Sequence, residues 1–316
     1  MNFFKKIREN YNLKLVNEFI QNKNFKELKL LLTDLYSKDL NQLHHIFNQN
    51  QIKLLDEENT NNDLGLIWVN SYLKDDTKFL TDFFNFYFSQ LNIENKILNY
   101  QNFILQINQK LGYQEMRFNQ FVNFSNFYQY CLKNFPPTNF KLIENQTPFY
   151  EINKNIMFTH LSLTKCFFYI IRDPMEVISI ITNESNDIES SINQLLNLEQ
   201  KFFNYKSEFS SIDLPLQDWA TNVDSWTGEN VINSFNGYIF NFNEYYTNPI
   251  TTLAEVIAHL NQTGFSLDLN YQLIEQFVQS NVNFSKKIEV PSISNQKKKI
   301  IRRQIEKTAN FWGFQI

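Results

Sequence analysis

Glycine is scarce in this sequence, which has only 6 glycines among its 316 residues. Loops that wrap a phosphate group through their backbone amides usually need glycine, because only glycine adopts the required conformations without strain. The run Gly-x-x-x-x-Gly-Lys-Ser/Thr of P-loop kinases and NTPases does not occur in the chain. The sequence therefore argues against that class of nucleotide-binding protein.

Cysteine and long apolar runs are equally scarce. Cys131 and Cys166 do not make a disulfide framework in a chain of this length, which favours a reducing compartment. No uninterrupted apolar run approaches the roughly 18–20 residues that a membrane-spanning helix needs. The opening segment MNFFKKIREN is charged and lacks the apolar stretch of a secretion signal. We expect a cytoplasmic protein without a membrane span.

Charge of either sign is not in marked excess. The chain has 29 lysines and arginines against 33 aspartates and glutamates. The resulting formal net charge of −4 gives no bulk electrostatic reason to expect nucleic acid or an anionic membrane as a partner. The adjacent pair His44 and His45 points in different directions on a helix, and no ligand stands at metal-site spacing beside it. We therefore expect no bound metal, and the oligomeric state stays open.

Aromatic residues, by contrast, are abundant: the chain has 32 phenylalanines and 15 tyrosines. Phenylalanine, tyrosine, asparagine, isoleucine and lysine are all frequent together, and all have AT-rich codons. Base composition of the genome explains this set without any function. The abundance of rings therefore does not by itself indicate a base-stacking or sugar-binding surface.

The first sixty residues have the apolar spacing of amphipathic helices. Apolar residues recur at intervals of three and four in two stretches, which predicts a helical hairpin with its turn near residues 37–39; they are Phe25, Leu28, Leu31, Leu32 and Leu35, then Leu40, Leu43, Ile46 and Phe47. A polar stretch over residues 56–63 follows. We expect a helical extension over residues 1–60 and one larger domain over residues 61–316.

The larger domain alternates short apolar runs with helical patterns. Buried strands are predicted at residues 64–69, 167–171 and 238–242, with a weaker candidate at 140–143. Residues 71–77 are predicted to form a loop, and helices are predicted over residues 79–91 and 251–261. Strands separated by helices indicate an α/β fold, with a mainly parallel sheet flanked by helices.

Three segments stand out in order along the chain, at residues 68–79, 169–177 and 219–249. Together they resemble the sulfotransferase family that uses 3′-phosphoadenosine 5′-phosphosulfate. Residues 68–79, Trp-Val-Asn-Ser-Tyr-Leu-Lys-Asp-Asp-Thr-Lys-Phe, are similar to the family's Ser-Tyr-Pro-Lys-Ser-Gly-Asn/Thr-Thr-Trp loop. Residues 169–177, Tyr-Ile-Ile-Arg-Asp-Pro-Met-Glu-Val, are similar to its Tyr-Ile-Val-Arg-Asp-Pro-Arg-Asp-Val. The third segment, Trp219 to Trp226 and then residues 238–249, resembles a Trp-x-x-x-Val-x-Ser-Trp helix with the strand and turn that follow. The resemblance covers about residues 64–285.

The resemblance implies a P-loop-like sulfotransferase fold and transfer of a sulfuryl group from this nucleotide to a hydroxyl or amine acceptor. Lys74 matches the loop lysine that neutralises charge on the bridging oxygen, and Thr77 matches a hydroxyl that donates to phosphate. Arg172 matches the arginine that binds the 3′ phosphate. Other positions implied to bind the nucleotide are Lys78, Phe79 as the ring stacked on adenine, Ser179, and Phe242 in place of a tyrosine.

Several positions depart from the family pattern. Asp75 and Asp76 stand where the family has Ser and Gly, and two carboxylates repel a polyanion. The serine expected eight residues beyond Arg172 is Ile180, with Ser179 one position away. The family's Arg-Lys-Gly loop has no clear match, although basic residues at 297–299 and 302–303 lie in that region.

The general base is the largest departure. The family's histidine position falls near residues 145–146, where the sequence has Asn and Gln. His160 lies 12 residues before Arg172 and would serve only if the intervening loop folds back, so a structural histidine is the alternative. Glu144 is a second candidate base.

Two functions are compatible with this sequence. One is an active sulfotransferase, whose acceptor the sequence does not indicate. The other is a catalytically degenerate member of the family that keeps the fold as a binding or structural module. The Phe-rich stretch at residues 118–127 either lines an acceptor pocket or packs in the core.

Overall fold

The computed structural model describes residues 65–316 with gaps at 112–113, 118–124, 127, 130, 134–139, 154–155, 199–201, 207–210 and 216, together with part of residues 11–34. The strands in this part are β1 (Leu66–Ser71), β2 (Asn95–Asn99), β3 (Glu115–Met116), β4 (Phe140–Asn145), β5 (Glu151–Asn153), β6 (Ile156–Met157), β7 (Thr164–Ile171), β8 (Phe202–Lys206), β9 (Ser211–Pro215) and β10 (Gly237–Asn241). The helices are α1 (Lys74–Gln90), α2 (Tyr100–Leu111), α3 (Pro174–Ser185), α4 (Ile188–Leu196), α5 (Trp219–Thr227), α6 (Glu229–Ser234), α7 (Phe242–Thr247), α8 (Pro249–Gln262), α9 (Tyr271–Ser280) and α10 (Asn295–Phe311).

A five-stranded parallel sheet forms the centre of the fold, in the order β10-β7-β1-β4-β2. Every residue of β1 is buried, and β7 is buried along nearly its whole length. Leu66 and Trp68 face one apolar cluster while Ile67 and Val69 face the other, because successive side chains of a strand point to opposite faces. The predicted parallel sheet flanked by helices is therefore confirmed.

Helices cover both faces of this sheet. On one face the core contains apolar residues of α1, α7, α8 and α9. On the other face it contains residues of α2, α3, α4, α5 and α10. The chain leaves β1 toward the first face and leaves β7 toward the second, which makes these adjacent strands the point where the connections diverge.

Local sequence explains where the helices begin. Asp173 accepts a hydrogen bond from the Met175 amide at 2.8 Å, and Pro174 occupies the first helical position of α3, where its missing N–H does no harm. Helix α1 begins at Lys74, within the predicted loop at 71–77. Its first turn contains Asp75 and Asp76, which interact favourably with the positive end of the helix.

Three predicted strands and the weaker fourth are present as β1, β4, β7 and β10, and the helix predicted over 251–261 is α8. Strand β2 was not predicted, because its sequence Asn-Lys-Ile-Leu-Asn is short and half polar, as suits the edge position that it occupies. Gly237 begins β10 beside Phe167, and a Cβ atom there would lie 2.3 Å from that ring. A larger residue would prevent this close approach of β10 to β7.

The N-terminal prediction is only partly within the described residues. Helical residues occur between 11 and 19 and again between 27 and 34, and Val16 and Leu28 are buried in the same apolar cluster as the sheet. The second predicted helix at residues 40–47 and the turn at 37–39 lie outside the described part. The division into residues 1–60 and 61–316 stays a prediction.

None of the helices in the described part of the chain is long and apolar enough to cross a membrane.

Candidate functional site

The carboxyl ends of β1 and β7 are where this fold would form a binding crevice. In open parallel sheets, ligands bind outside the carboxyl ends of adjacent strands whose following connections go to opposite faces. Asp76 follows β1 on the first turn of α1, and Arg172 follows β7 immediately before α3. These two residues, 96 positions apart in the chain, meet at this place.

Arg172 is buried, with only 4% of its surface exposed, and it donates four hydrogen bonds to other side chains of the protein. Its Nε and Nη2 donate to Oδ1 of Asp76 at 3.0 and 2.8 Å, and its Nη1 donates to Oε2 of Glu176 at 3.1 Å. Nη1 also donates to the hydroxyl of Tyr246 at 2.5 Å. The guanidinium carbon lies 3.6 Å from the centre of the Phe242 ring, a close cation–π contact.

Asp76 is the other half of this buried pair, with 1% of its surface exposed. While Oδ1 accepts both bonds from Arg172, Oδ2 accepts a bond from the Ser71 hydroxyl at 3.3 Å. Its position in the first turn of α1 places the carboxylate near the unpaired backbone amides and the positive end of the helix. The amino end of a helix after the first strand is an anion-binding position, and here a carboxylate of the chain itself lies there.

Glu176 gives this cluster a second carboxylate. Its Oε2 accepts bonds from Arg172 and from the Tyr246 hydroxyl, the latter at 2.6 Å, whereas Oε1 is buried and has no hydrogen-bond partner. Burial raises the pKa of the Glu176 carboxyl, and the bonds from Tyr246 and Arg172 only partly oppose this. Burial also raises the pKa of Asp76, opposed by Arg172.

The pKa of Arg172 itself is raised. Burial lowers it, but the Asp76 carboxylate, with smaller contributions from Tyr246 and Glu176, outweighs burial, so the guanidinium stays charged. Its positive charge is balanced by carboxylates that belong to the protein. An incoming phosphate group would have to displace Asp76 before it could accept the same two bonds.

A small cleft opens beside this cluster, with a volume of about 140 Å³. Sites for drug-sized ligands are commonly about 300–1,000 Å³. Ile180 lines the cleft at the position where the resemblance implies a serine for the 3′ phosphate, and it offers no hydrogen bond. The other lining residues are Asp75, Asp76, Arg172, Asn283, Phe284, Lys286 and Ile288.

The loop residues suggested by the resemblance also lie near the carboxyl ends of the strands, but they make other contacts than those that the resemblance implies. Lys74 is exposed in the first turn of α1. The Thr77 hydroxyl donates to the Lys74 carbonyl at 2.7 Å and accepts from Gln146 at 3.2 Å. Lys78 points outward and pairs with Asp82 at 2.6 Å, which raises the pKa of Lys78.

The rings expected to hold adenine are part of the core. Phe79 is 1% exposed and is surrounded by the rings of Phe240, Phe242, Tyr245, Phe277 and Phe284, with ring centres 4.8–6.0 Å away. Phe242 is fully buried beneath Arg172. Neither ring has a face available for a base to stack on. Ser179 is also buried, and its hydroxyl donates to the Met175 carbonyl within α3 at 3.0 Å.

The structure does not bring His160 to this site. His160 lies just before β7, where its carbonyl accepts bonds from the amides of Leu163 and Thr164, whereas Arg172 follows the other end of that strand. A strand of this length spans roughly 25 Å. The loop before β7 does not fold back, so His160 is at the opposite edge of the sheet, where its Nδ1 lies 2.9 Å from the Ser162 hydroxyl.

Glu144 lies at the carboxyl ends of the strands, on the same side of the sheet as Arg172, but it does not line the cleft. It lies near the end of β4, and its Oε1 accepts a bond from the Thr81 hydroxyl at 2.6 Å. The next residue, Asn145, occupies the place where the resemblance implies a histidine. Its amide side chain is held by Asn70, Gln101 and Thr147 in a buried network. Among the described residues, the carboxyl end of β4 holds a carboxylate and amides, and no imidazole.

The basic residues at 297–299 and 302–303 belong to α10, which packs against α4 and α5. Lys297 pairs with Glu189 of α4 at 3.5 Å. The lysine that lines the cleft is instead Lys286, which the sequence pattern did not single out. Neither Glu176 nor Tyr246 was predicted to belong to the site. Glu176 stands four residues after Arg172, but Arg172 precedes α3 and only Glu176 lies within the helix, so helical spacing did not indicate this pair.

In their observed positions, the residues of the candidate site do not fit 3′-phosphoadenosine 5′-phosphosulfate. The arginine is engaged by carboxylates, the rings are covered, Ile180 replaces a donor, and the cleft is smaller than a nucleotide requires. Among the described residues, no group of three or more His, Cys, Asp and Glu side chains could hold a metal ion.

No protein-family model matches the chain, and no curated protein matches its sequence.

Proposed function

We propose that this chain is a divergent, sulfotransferase-like protein that acts as a binding or structural module and does not transfer a sulfuryl group. The family assignment rests on the three ordered segments of the sequence. The loss of chemistry rests on one observation above all, the buried pair in which Nε and Nη2 of Arg172 both donate to Oδ1 of Asp76, at 3.0 and 2.8 Å.

The positions of the three segments support a P-loop-like sulfotransferase fold. The first segment runs from β1 into α1, the second from β7 through Arg172 into α3, and the third comprises α5 followed by β10 and α7. Strand β1 lies in the middle of the sheet with β4 and β7 on either side, so the first two segments end side by side. The resemblance requires these two segments to be neighbours, since both contact one nucleotide.

The buried pair supports the loss of nucleotide binding. Asp76 stands where the family has glycine, and it supplies the negative charge that a phosphate would otherwise bring to Arg172 and to the amino end of α1. A phosphate entering beside the displaced carboxylate would meet repulsion in a poorly hydrated place, on the order of several kcal/mol. The ordinary folded state is therefore closed to the nucleotide.

An active sulfotransferase is the second candidate. Lys74, Thr77 and Arg172 all lie at the carboxyl edge of the sheet, in the order and on the elements that the resemblance implies. Lys74 is exposed and not committed to an ion pair among the described residues. Activity would require Asp76 to leave Arg172 when the nucleotide arrives.

Incubation with a sulfur-labelled donor and a panel of hydroxyl and amine acceptors tests this proposal. We expect no transfer and no donor hydrolysis above the protein-free rate. Transfer by the wild type that Lys74→Ala abolishes would establish the active candidate instead. Lys96→Ala is the matched control, since Lys96 is an exposed lysine on the edge strand β2 and should not affect transfer.

A further inference from the structure

Helix α10 concentrates positive charge on one element of the described part of the chain. This 17-residue helix contains six cationic residues and one acidic one, in a chain with a formal net charge of −4. The cationic residues are Lys297, Lys298, Lys299, Arg302, Arg303 and Lys307. The rest of the chain therefore has a clear negative excess, and the near balance of total charge conceals a separation of charge in space.

The apolar side of α10 is already used by the fold. Ile301, Ile305, Thr308 and Ala309 are buried against the domain, and the Thr308 hydroxyl donates to the Asp224 carboxylate of α5 at 3.0 Å. This packing fixes the rotation of the helix. The opposite face is consequently presented to solvent as a fixed surface.

That solvent face combines cations with exposed apolar side chains. Residues 300, 303, 307 and 311 follow one another at intervals of three and four, so they form a stripe along one side of the helix. Ile300 is 44% exposed and Phe311 is 78% exposed, and Arg303 and Lys307 lie between them. Lys299 lies beside this stripe. In the described part of the chain, no carboxylate forms an ion pair with Lys299, Arg303 or Lys307.

We propose that this face of α10, the stripe with Lys299, is a docking surface for an anionic phospholipid bilayer. Cations attract the negative headgroups, and an aromatic ring and an isoleucine on the same side can enter the boundary between headgroups and acyl chains. A duplex nucleic acid would satisfy the cations through its phosphates but would leave Ile300 and Phe311 in water. A single strand can stack a base on Phe311 but has no apolar partner for Ile300. The combination of charge and exposed apolar groups therefore favours a lipid surface.

Flotation of the full chain with vesicles tests this surface. We expect binding to phosphatidylcholine vesicles that contain phosphatidylserine and little binding to vesicles of phosphatidylcholine alone. Raising the salt concentration from about 0.1 M to about 0.5 M should weaken binding strongly, because the charges are exposed. Binding to neutral vesicles that equals binding to anionic ones, or no binding to either, would overturn the proposal.

Charge reversal locates the surface. Lys299→Glu combined with Arg303→Glu should weaken binding to anionic vesicles by about tenfold or more, and Phe311→Ser should weaken it several-fold. Lys14→Glu combined with Lys96→Glu is the matched control, because it makes the same change of charge at exposed positions elsewhere and should retain most of the binding. Equal losses in the two double variants would contradict the assignment to α10.

A single-stranded RNA oligonucleotide provides the competing partner. Fluorescence anisotropy should show binding weaker than that to anionic vesicles at the same salt concentration. Tighter binding to RNA that the Lys299→Glu, Arg303→Glu variant abolishes would assign the surface to nucleic acid and overturn the lipid proposal. Because none of these residues contacts the Arg172 cluster, failure here would leave the proposed loss of sulfuryl transfer unaffected.

Discussion

At the scale of single residues, the candidate site is defined by one buried arginine and the side chains that balance its charge. A guanidinium that is 4% exposed must be balanced by nearby negative charge, and Arg172 has Asp76 and Glu176 for this purpose. The Phe242 ring covers one side of the guanidinium and Tyr246 provides a further hydrogen bond. An anion that approached Arg172 would compete with these contacts.

Removal of this arginine should be costly. Arg172→Ala leaves two buried carboxylates without their counter-charge, and we expect a loss of roughly 3–5 kcal/mol in the free energy of unfolding. Chemical denaturation measures this loss. Lys78→Ala is the control, because it removes an exposed pair with Asp82 and should change stability by no more than about 1 kcal/mol. Similar losses in the two variants would contradict the structural role of Arg172.

The second carboxylate predicts a pH dependence. The folded state holds a proton on Glu176 to a higher pH than the unfolded chain does, since burial raises the pKa of Glu176. The free energy of unfolding therefore falls as pH rises from about 4.3, the ordinary value for glutamic acid, to the raised pKa of the folded state. Glu176→Gln cannot titrate and should flatten this part of the curve. Denaturation at several pH values compares the slopes, and equal slopes would contradict the role given to Glu176.

At the scale of elements, α1 explains both the fold and the closed site. Its apolar face packs beneath the sheet through Phe79, Phe83 and Phe84, while its first turn presents Asp76 to Arg172. The helix begins at Lys74, five residues before the predicted start at residue 79. This earlier start brings Asp76 into the helical turn that faces β7.

Substitution of Phe79 tests whether its ring belongs to the core or to a surface on which a ligand stacks. Because its ring is enclosed by five other rings, Phe79→Ala should destabilise the protein by roughly 3–5 kcal/mol. Phe311→Ala, at a ring that is 78% exposed, should change stability by no more than about 0.5 kcal/mol. Thermal or chemical denaturation gives both values. A stable Phe79→Ala variant would mean that this ring is not part of the core.

The elements were largely predictable because their signals are local. Strands β1, β7 and β10 are short apolar runs with polar turns after them, and α8 has an apolar face at intervals of three and four. Strand β2 and the start of α1 were not predicted. The former is a half-polar edge strand, and the latter begins with Leu73 in the capping position, a residue without a capping side chain.

At the scale of the whole molecule, the site is determined by which strands are neighbours. The sequence places Asp76 after one strand and Arg172 after another, but only the strand order shows that they meet. From the sequence, both aspartates are expected to repel a phosphate-bearing ligand. In the fold Asp75 is exposed and Asp76 is paired with Arg172, so their roles differ. Likewise, only the fold shows that His160 lies at the far edge of the sheet.

Calorimetric titration with 3′-phosphoadenosine 5′-phosphate tests the central claim most directly. If Asp76 holds the place of a phosphate, the wild type should show no binding at micromolar concentrations. Asp76→Ala should gain affinity by about tenfold or more, because Arg172 then keeps one carboxylate partner and can accept an anion. Asp75→Ala makes the same change of charge at an exposed position and should gain much less. Micromolar binding by the wild type, or no difference between the two variants, would contradict the claim.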